Sequence, residues 1–304
     1  MATAQRDILA DFGHLRDAAV AVSQMLRDIR SHLTNVHHNP RENVELEARL
    51  GRLQNNRFES NVGQTTFLHI LQLLESYPRW TRSSAWQETH DVFYNVELPA
   101  SNAELLGAVG QGGKAVQVRT TVGSDGHGGV TILHNTKRRL RSVDLEMRLM
   151  DAFSCTLDTN LDGKNDGLDV RVAANVETVV APEGLPIAVM PSCVRIKQRK
   201  RFFLSSLGID NETFVYELSV VYQGRSKHEA EQKQSNRTDP SFEVEIECLQ
   251  PRAYLRSSNG EDLMLALSML LKCFDFAMLL HPQSNVTYVP QALKSYDQEQ
   301  SEED

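Results

Sequence analysis

Apolar residues return every three or four positions over residues 8–33 (Ile8, Leu9, Phe12, Leu15, Val20, Val22, Met25, Leu26, Ile29, Leu33), which predicts an amphipathic helix. TTFLHILQLLES at 65–76 predicts a second helix, ended before Pro78, and 261–280 a third that closes the core. Between 87 and 249 the period shortens to two. There QETHDVFYNVE, AVQVRTTV, VTILHNTKRRL, LDVRVAANVETVV, SCVRIKQRKRFFL, FVYELSVVYQ and FEVEIECL each predict a β-strand, many of them separated by Gly-, Asp- or Asn-rich turns. HEAEQKQSNRTDP is expected to be a long polar loop and SYDQEQSEED a disordered acidic tail.

The polar half of this alternation is unusual. VELEARLG, after the break at Asn39-Pro40, puts Glu45 and Glu47 on one side of a strand, and FEVEIECL does the same with Glu243, Glu245 and Glu247. Arg195, Lys197, Arg199 and Arg201 share a face, as do Arg171 with Glu177, and Glu217 with Ser219. Opposite them lie Val194 and Ile196, Val170 and Val172, Tyr216 and Leu218. A solvated sheet face mixes its polar positions; charge after charge on one side instead predicts a closed barrel with a charged lumen, its apolar outside wrapped by helices.

If the acid-bearing faces meet, five carboxylates converge, which only bound cations or basic partners make bearable. Oxygen-only ligands suit hard metals such as Mg²⁺ or Mn²⁺, whose usual work is phosphate chemistry. Either glutamate motif alone could be a solvated edge strand kept from aggregating by its charge. KRRLR at 137–141 and KQRKR could equally be import signals or solvated patches. Regular alternation inside a β pattern favours an inward-facing anion cradle for Arg195 to Arg201, since clustered phosphates need several cations and Arg forks fit their oxygens.

Composition narrows the setting. The 304 residues allow one large domain or two small ones, and no repeat or linker divides them. With 32 basic against 40 acidic residues the formal charge is −8, which argues against a generic nucleic-acid coat, so any phosphate site is a local concentration of Lys and Arg. Four scattered cysteines (Cys155, Cys193, Cys248, Cys273) suggest a reducing compartment. The N-terminus lacks the apolar core of a signal peptide, and the longest apolar stretch is broken by Lys272 and Asp275, so a soluble intracellular protein is expected.

Three motifs are decoys. Asp158-Thr-Asn160-Leu-Asp162-Gly163 begins like a calcium loop but has Asp169 at position twelve and no clear flanking helices. Lys164-Asn-Asp166-Gly167 mimics a nucleotidyltransferase nucleophile, yet Asp169 stands where an Arg is needed. Gly112-Gly113-Lys114 is followed by Ala115 and lacks P-loop spacing. The ten histidines, His37-His38 among them, show no metal-ligand spacing.

Taken in order, VELEARLG, ETHDVFYNVELP, QVRTT, TKRRL, LDVRVAANVE, RIKQR, FVYELSVV and FEVEIECL make residues 44–249 resemble the triphosphate tunnel metalloenzymes, and within them the fungal and protozoan mRNA 5'-triphosphatases. The resemblance implies an α+β, β-dominated fold: an eight-stranded antiparallel tunnel with a charged lumen, flanked by helices. It would occupy residues 35–282, between an N-terminal helix (1–34) and an acidic tail (283–304). By position, the resemblance implies Glu45, Glu47 and Glu247 as metal ligands, with Glu243 and Glu245 supporting them. It implies Glu177 as the acid that positions the attacking water, and Arg119, Lys137, Arg195, Lys197, Arg199 and Arg201 as phosphate contacts. Arg49, Arg171, Glu217 and Ser219 would support the lumen, the last two standing where the family usually has Asp and Thr. The register of the basic strand stays open by one step.

The activity implied is Mg²⁺- or Mn²⁺-dependent removal of the γ-phosphate from 5'-triphosphate RNA, the first step of cap formation, with Mn²⁺-dependent hydrolysis of nucleoside triphosphates. Partners implied are the RNA, free nucleotides and an mRNA guanylyltransferase, in the nucleus and away from membranes, as monomer or homodimer. Hydrolysis of tripolyphosphate or a small organic triphosphate, and a non-catalytic phosphate-binding barrel, are the alternatives.

Overall fold

The computed structural model describes residues 8–35, 42–78, 80–97, 115–124, 129–145, 168–180, 190–205, 212–256 and 261–279. The three decoy motifs, His37-His38 and the acidic tail lie outside the described residues. In chain order the elements are α1 (Ile8–Asn35), β1 (Glu42–Gln54), β2 (Arg57–Glu59), α2 (Gln64–Ser76), β3 (Arg82–Ser83), β4 (Gln87–Glu97) and β5 (Ala115–Ser124). There follow β6 (Val130–Leu145), β7 (Asp169–Val179), β8 (Cys193–Ser205), β9 (Glu212–Gly224), α3 (Lys227–Asn236), β10 (Ser241–Cys248), α4 (Pro251–Arg256) and α5 (Glu261–Leu279).

Eight strands pair antiparallel in the circular order β1, β7, β6, β5, β4, β8, β9, β10, and β10 returns to β1. The expected barrel is therefore present, and closure leaves none of these eight with a free edge. Alternation sorts β1, β7, β8, β9 and β10 as the sequence predicts, while β6 shifts register between Arg139 and Arg141. Val44, Leu46, Ala48 and Leu50 of β1 are buried on the outer face, together with Val170, Val172 and Ala174 of β7 and Val244 and Ile246 of β10. Leu15, Val22, Leu26 and Ile29 of α1, Phe67 and Ile70 of α2, and Leu265, Met269 and Leu270 of α5 join all of these but Val44 in one core. The core of this barrel thus lies outside its wall, between strands and helices. Arg30 of α1 pairs with the buried Asp262 at the start of α5, fixing one helix along the other. No described helix is long and apolar enough to cross a membrane.

The expected polar loop is in part a helix, α3. Only Ala230 is buried along it, so there is no apolar stripe to betray it. What starts it is a cap: Ser226 Oγ accepts from the Glu229 amide at 3.2 Å while Glu229 Oε2 accepts from the Arg225 amide at 2.8 Å. Arg237 ends it in the left-handed conformation, at φ 53°.

A second unanticipated feature is the β1–β2 hairpin. Its two-residue turn, Asn55-Asn56, has both φ values positive, at 50° and 60°, as a tight hairpin requires. It lays β2 against the last residues of β1, beyond the barrel wall. A Cβ at Gly51 would sit 2.2 Å from the Glu59 carbonyl oxygen and 2.7 Å from Phe58 Cζ. Gly51→Ala is therefore expected to destabilise the chain by about 1–3 kcal/mol, read as a lower urea midpoint at unchanged slope.

Candidate active site

The alternate residues of β1 bring Glu45, Glu47 and Arg49 to the lumen, and cross-strand register decides what each meets. On one side Glu47 faces Glu247 and Arg49 faces Glu245. On the other Glu45 faces Asn175. Around the wall Lys137 faces Glu177, Arg119 faces Asn135, Asp91 faces Thr121, and Arg201 faces Glu217. The result is a cavity of about 250 Å³ lined by Glu45, Arg49, Asp91, Arg119, Thr121, Leu133, Lys137, Glu177, Lys197, Arg199, Arg201, Glu217, Glu245 and Glu247. Its ionisable lining is balanced: Arg49, Arg119, Lys137, Lys197, Arg199 and Arg201 against Glu45, Asp91, Glu177, Glu217, Glu245 and Glu247, six to six.

The lining sorts into three groups. The first is acidic. Asn175 Nδ2 donates to Glu45 at 3.0 Å and to the buried Glu47 at 3.1 Å, holding the two carboxylates side by side. Lys137 Nζ is paired with Glu45 and lies 3.5 Å from Glu47, while Arg49 Nη2 donates to Glu47 at 3.0 Å. Glu247 makes no hydrogen bond or ion pair among the described residues.

Burial raises the Glu47 carboxyl above its ordinary range, Arg49 offsetting part of the effect. Glu247 is pushed up to about 8, first by burial and then by the like charges of Glu45 and Glu217. Glu245 is also buried, but Arg49, Lys197 and Lys137 more than compensate and bring it down to about 2.

The sign for Glu247 follows from linkage. A carboxyl whose folded pKa lies near 8 rather than 4.5 favours the fold most below about pH 4.5, and that contribution is lost as pH rises through about 8. The melting temperature of the chain in chelator should therefore fall more steeply between pH 5 and 9 than that of Glu247→Gln, as differential scanning fluorimetry can check.

The second group is basic and comes from β8. Lys197, Arg199 and Arg201 line the cavity, whereas Arg195, one step further along the strand, pairs with Glu243 at 2.5 Å. Arg201 Nε donates to Glu217 at 2.6 Å, and Arg199 pairs with the same carboxylate at 3.5 Å and with Thr89 Oγ1 at 2.7 Å. Glu217 is held low: burial works against its charge, but Arg199 and Arg201 overcome it. Ser219 donates to Glu217 at 3.3 Å. The buried Nε of Arg199 has no hydrogen-bond partner among the described residues.

The third group is Glu177 with its holders. Arg119 Nη2 donates to one carboxylate oxygen at 2.7 Å and Asn135 Nδ2 to the other at 3.1 Å, and Arg119 Nε donates to Asn135 Oδ1 at 3.1 Å. Each oxygen keeps a lone pair for a water proton.

Arg171 forms a bidentate pair with Asp144, at 2.6 and 2.8 Å, outside the cavity lining. Of the predicted site residues, Glu47, Glu243, Arg171, Arg195 and Ser219 stand behind or beside the lining, and the others form it. Asp91, Thr121, Leu133, Asn135 and Asn175, not singled out from sequence, also belong to the site. Asp91, 2 % exposed, accepts from Thr121 Oγ1 at 2.7 Å and lies 3.8 Å from Lys197 Nζ, positioning that lysine. Asn135 and Asn175 orient the acids. The alternation in THDVF and AANVE already put Asp91 and Asn175 on the charged faces.

Among the described residues no three His, Cys, Asp or Glu side chains are gathered closely enough to hold a metal ion. Glu45 and Glu47 instead share the ammonium of Lys137, a cation where a metal would bring one. The donor chemistry nevertheless fits a hard divalent ion: oxygen ligands only, with Glu47 and Glu247 both held up by burial.

A closed antiparallel tunnel with its charges inside is the architecture these strands define. The solved S. pombe Pct1 RNA triphosphatase has the same fold, with a TM-score of 0.54 at 16 % identity over 88 % of this chain and 94 % of that one. A second structure of Pct1, in complex with the Spt5 CTD, matches at 0.53 and 16 % identity over 88 % and 95 %. The mimivirus capping-enzyme triphosphatase matches at 0.45 and 11 % identity over 86 % and 97 %. No known sequence family and no curated protein sequence matches the chain.

Proposed function

We propose that this chain is a metal-dependent RNA 5'-triphosphatase that releases the γ-phosphate of 5'-triphosphate RNA and leaves a 5'-diphosphate end, the first step of mRNA cap formation. One observation carries the proposal: a single lumen cavity lined by the acids Glu45 and Glu247 and the donors Lys197, Arg199 and Arg201, with Glu177 fixed between Arg119 and Asn135. The fold shared with an RNA triphosphatase supports it.

A bound Mg²⁺ or Mn²⁺, held by Glu45, Glu47 and Glu247, would supply Lewis-acid polarisation of phosphoryl oxygens. The chain's own residues do the rest. Lys197, Arg199 and Arg201 bind the phosphate oxygens and neutralise charge that grows on the leaving diphosphate as the β–γ bond breaks. Arg119 and Lys137 hold the terminal phosphate next to Glu177, which accepts a proton from the attacking water and orients its lone pair. On this reading the chain works in the nucleus beside a guanylyltransferase and also hydrolyses free nucleoside triphosphates.

The test is phosphate release from γ-labelled triphosphate RNA, ATP and tripolyphosphate, with and without Mg²⁺ or Mn²⁺. Metal-dependent release from RNA is expected, and its absence would overturn the reading. Glu47→Ala should lower that release by ~10²-fold or more while the circular dichroism spectrum stays that of the wild type. Full activity in this variant would move the metal site elsewhere.

A further inference from the structure

The two ends of the tunnel differ. Towards the β5–β6 hairpin the lumen face carries Leu133 and Val179, diagonal neighbours across β6 and β7, which are 41 % and 46 % exposed. They are the only exposed large apolar side chains on the lumen face among the described residues, and Leu133 lines the charged cavity itself. At the other end the β1–β2 hairpin presses Phe58 against the lumen side of Gly51. The Arg171 guanidinium lies 4.7 Å over the Phe58 ring while both its arms are taken by Asp144. The Arg195–Glu243 pair occupies the same end. Among the described residues both ends thus carry an arginine–carboxylate pair over a ring, Arg82–Glu212 over Phe203 at the first and Arg171–Asp144 over Phe58 at the second, and exposed aliphatic side chains mark only the first.

From this we infer that the substrate enters by the Leu133–Val179 mouth, and that these two side chains form the subsite for its 5'-terminal nucleoside, a role that rests on the proposed triphosphatase reading. The phosphates need the cations of the cavity, so the group attached to the α-phosphate must project from an end. A ribose and base present apolar faces that gain by covering exposed aliphatic carbon, whereas Arg171–Asp144 and Arg195–Glu243 offer them paired charge. An aliphatic rim has no preference among bases, which suits an enzyme that removes a phosphate from any 5' end.

The test compares, by calorimetry with Mg²⁺ present, binding of the β,γ-imido analogue of ATP with binding of diimidotriphosphate, which has the phosphates and no nucleoside. In Leu133→Ala, and separately in Val179→Ala, the ratio of the two dissociation constants should shift by about five- to tenfold against the nucleotide. Both side chains are exposed, so folding should survive either change. Phe58→Ala should leave the ratio at its wild-type value. A ratio within twofold of wild type in both mouth variants, or a shift produced by Phe58→Ala, would overturn the inference while the triphosphatase reading stands. Wild-type protein that binds neither analogue would overturn both.

Discussion

Glu177→Gln should lower kcat for phosphate release from triphosphate RNA by ~10²- to 10⁴-fold, with KM changed by no more than a few fold. Glutamine has the length of the native side chain and still offers one oxygen to Arg119, 2.7 Å away in the native pair, but it accepts no proton from water. Lost binding and lost chemistry separate cleanly in single-turnover experiments at saturating RNA. A fall of less than tenfold would remove Glu177 from the chemical step and leave it as a spacer between Arg119 and Lys137.

The second large effect is on stability. Glu217 is 7 % exposed and takes Arg201 Nε at 2.6 Å, Arg199 at 3.5 Å and Ser219 Oγ at 3.3 Å. Glu217→Ala leaves two guanidinium groups in the lumen without their shared counter-ion, and removing one partner of such a pair costs about 3–5 kcal/mol. Relief of its repulsion with Glu245 and Glu247 offsets part of that, so a loss of about 3 kcal/mol is expected in urea denaturation. The same variant should bring the Glu247 carboxyl down from about 8, because Glu217 is one of the charges that raise it. An unchanged urea midpoint would mean that Glu245 takes over both arginines.

Much of this was legible in the chain because period-two alternation reports faces directly. Val44, Leu46 and Ala48 against Glu45, Glu47 and Arg49 can be sorted without knowing any partner strand. Elements held by pairs distant in sequence were harder to see. Alternation puts Asn175 on the charged face, but it takes register to set it opposite Glu45, and to place Asn135 between Arg119 and Glu177. Which of the four basic residues on β8 reach the cavity depended on Glu243 capturing Arg195, a contact between β8 and β10 that no local pattern announces. Helix α3 escaped for the opposite reason: its signal, Ser226 followed three residues later by Glu229, was local, but there was no apolar face to draw attention to it. The β1–β2 hairpin turned on Asn55-Asn56 and Gly51, whose meaning lies in backbone conformation rather than hydrophobicity.

The seam between β1 and β10 also sets the order of folding. Those strands sit nearly the whole barrel apart in sequence, and their pairing is what sets Glu47 beside Glu247. Contacts of such long range form late, after the loop-closure entropy of everything between has been met. Until β10 docks, the emerging chain is an open, curved sheet with charge on one face and bare aliphatic carbon on the other, a shape that invites aggregation and holdase chaperones. On the proposed reading, affinity for a divalent ion reports whether the last strand has closed.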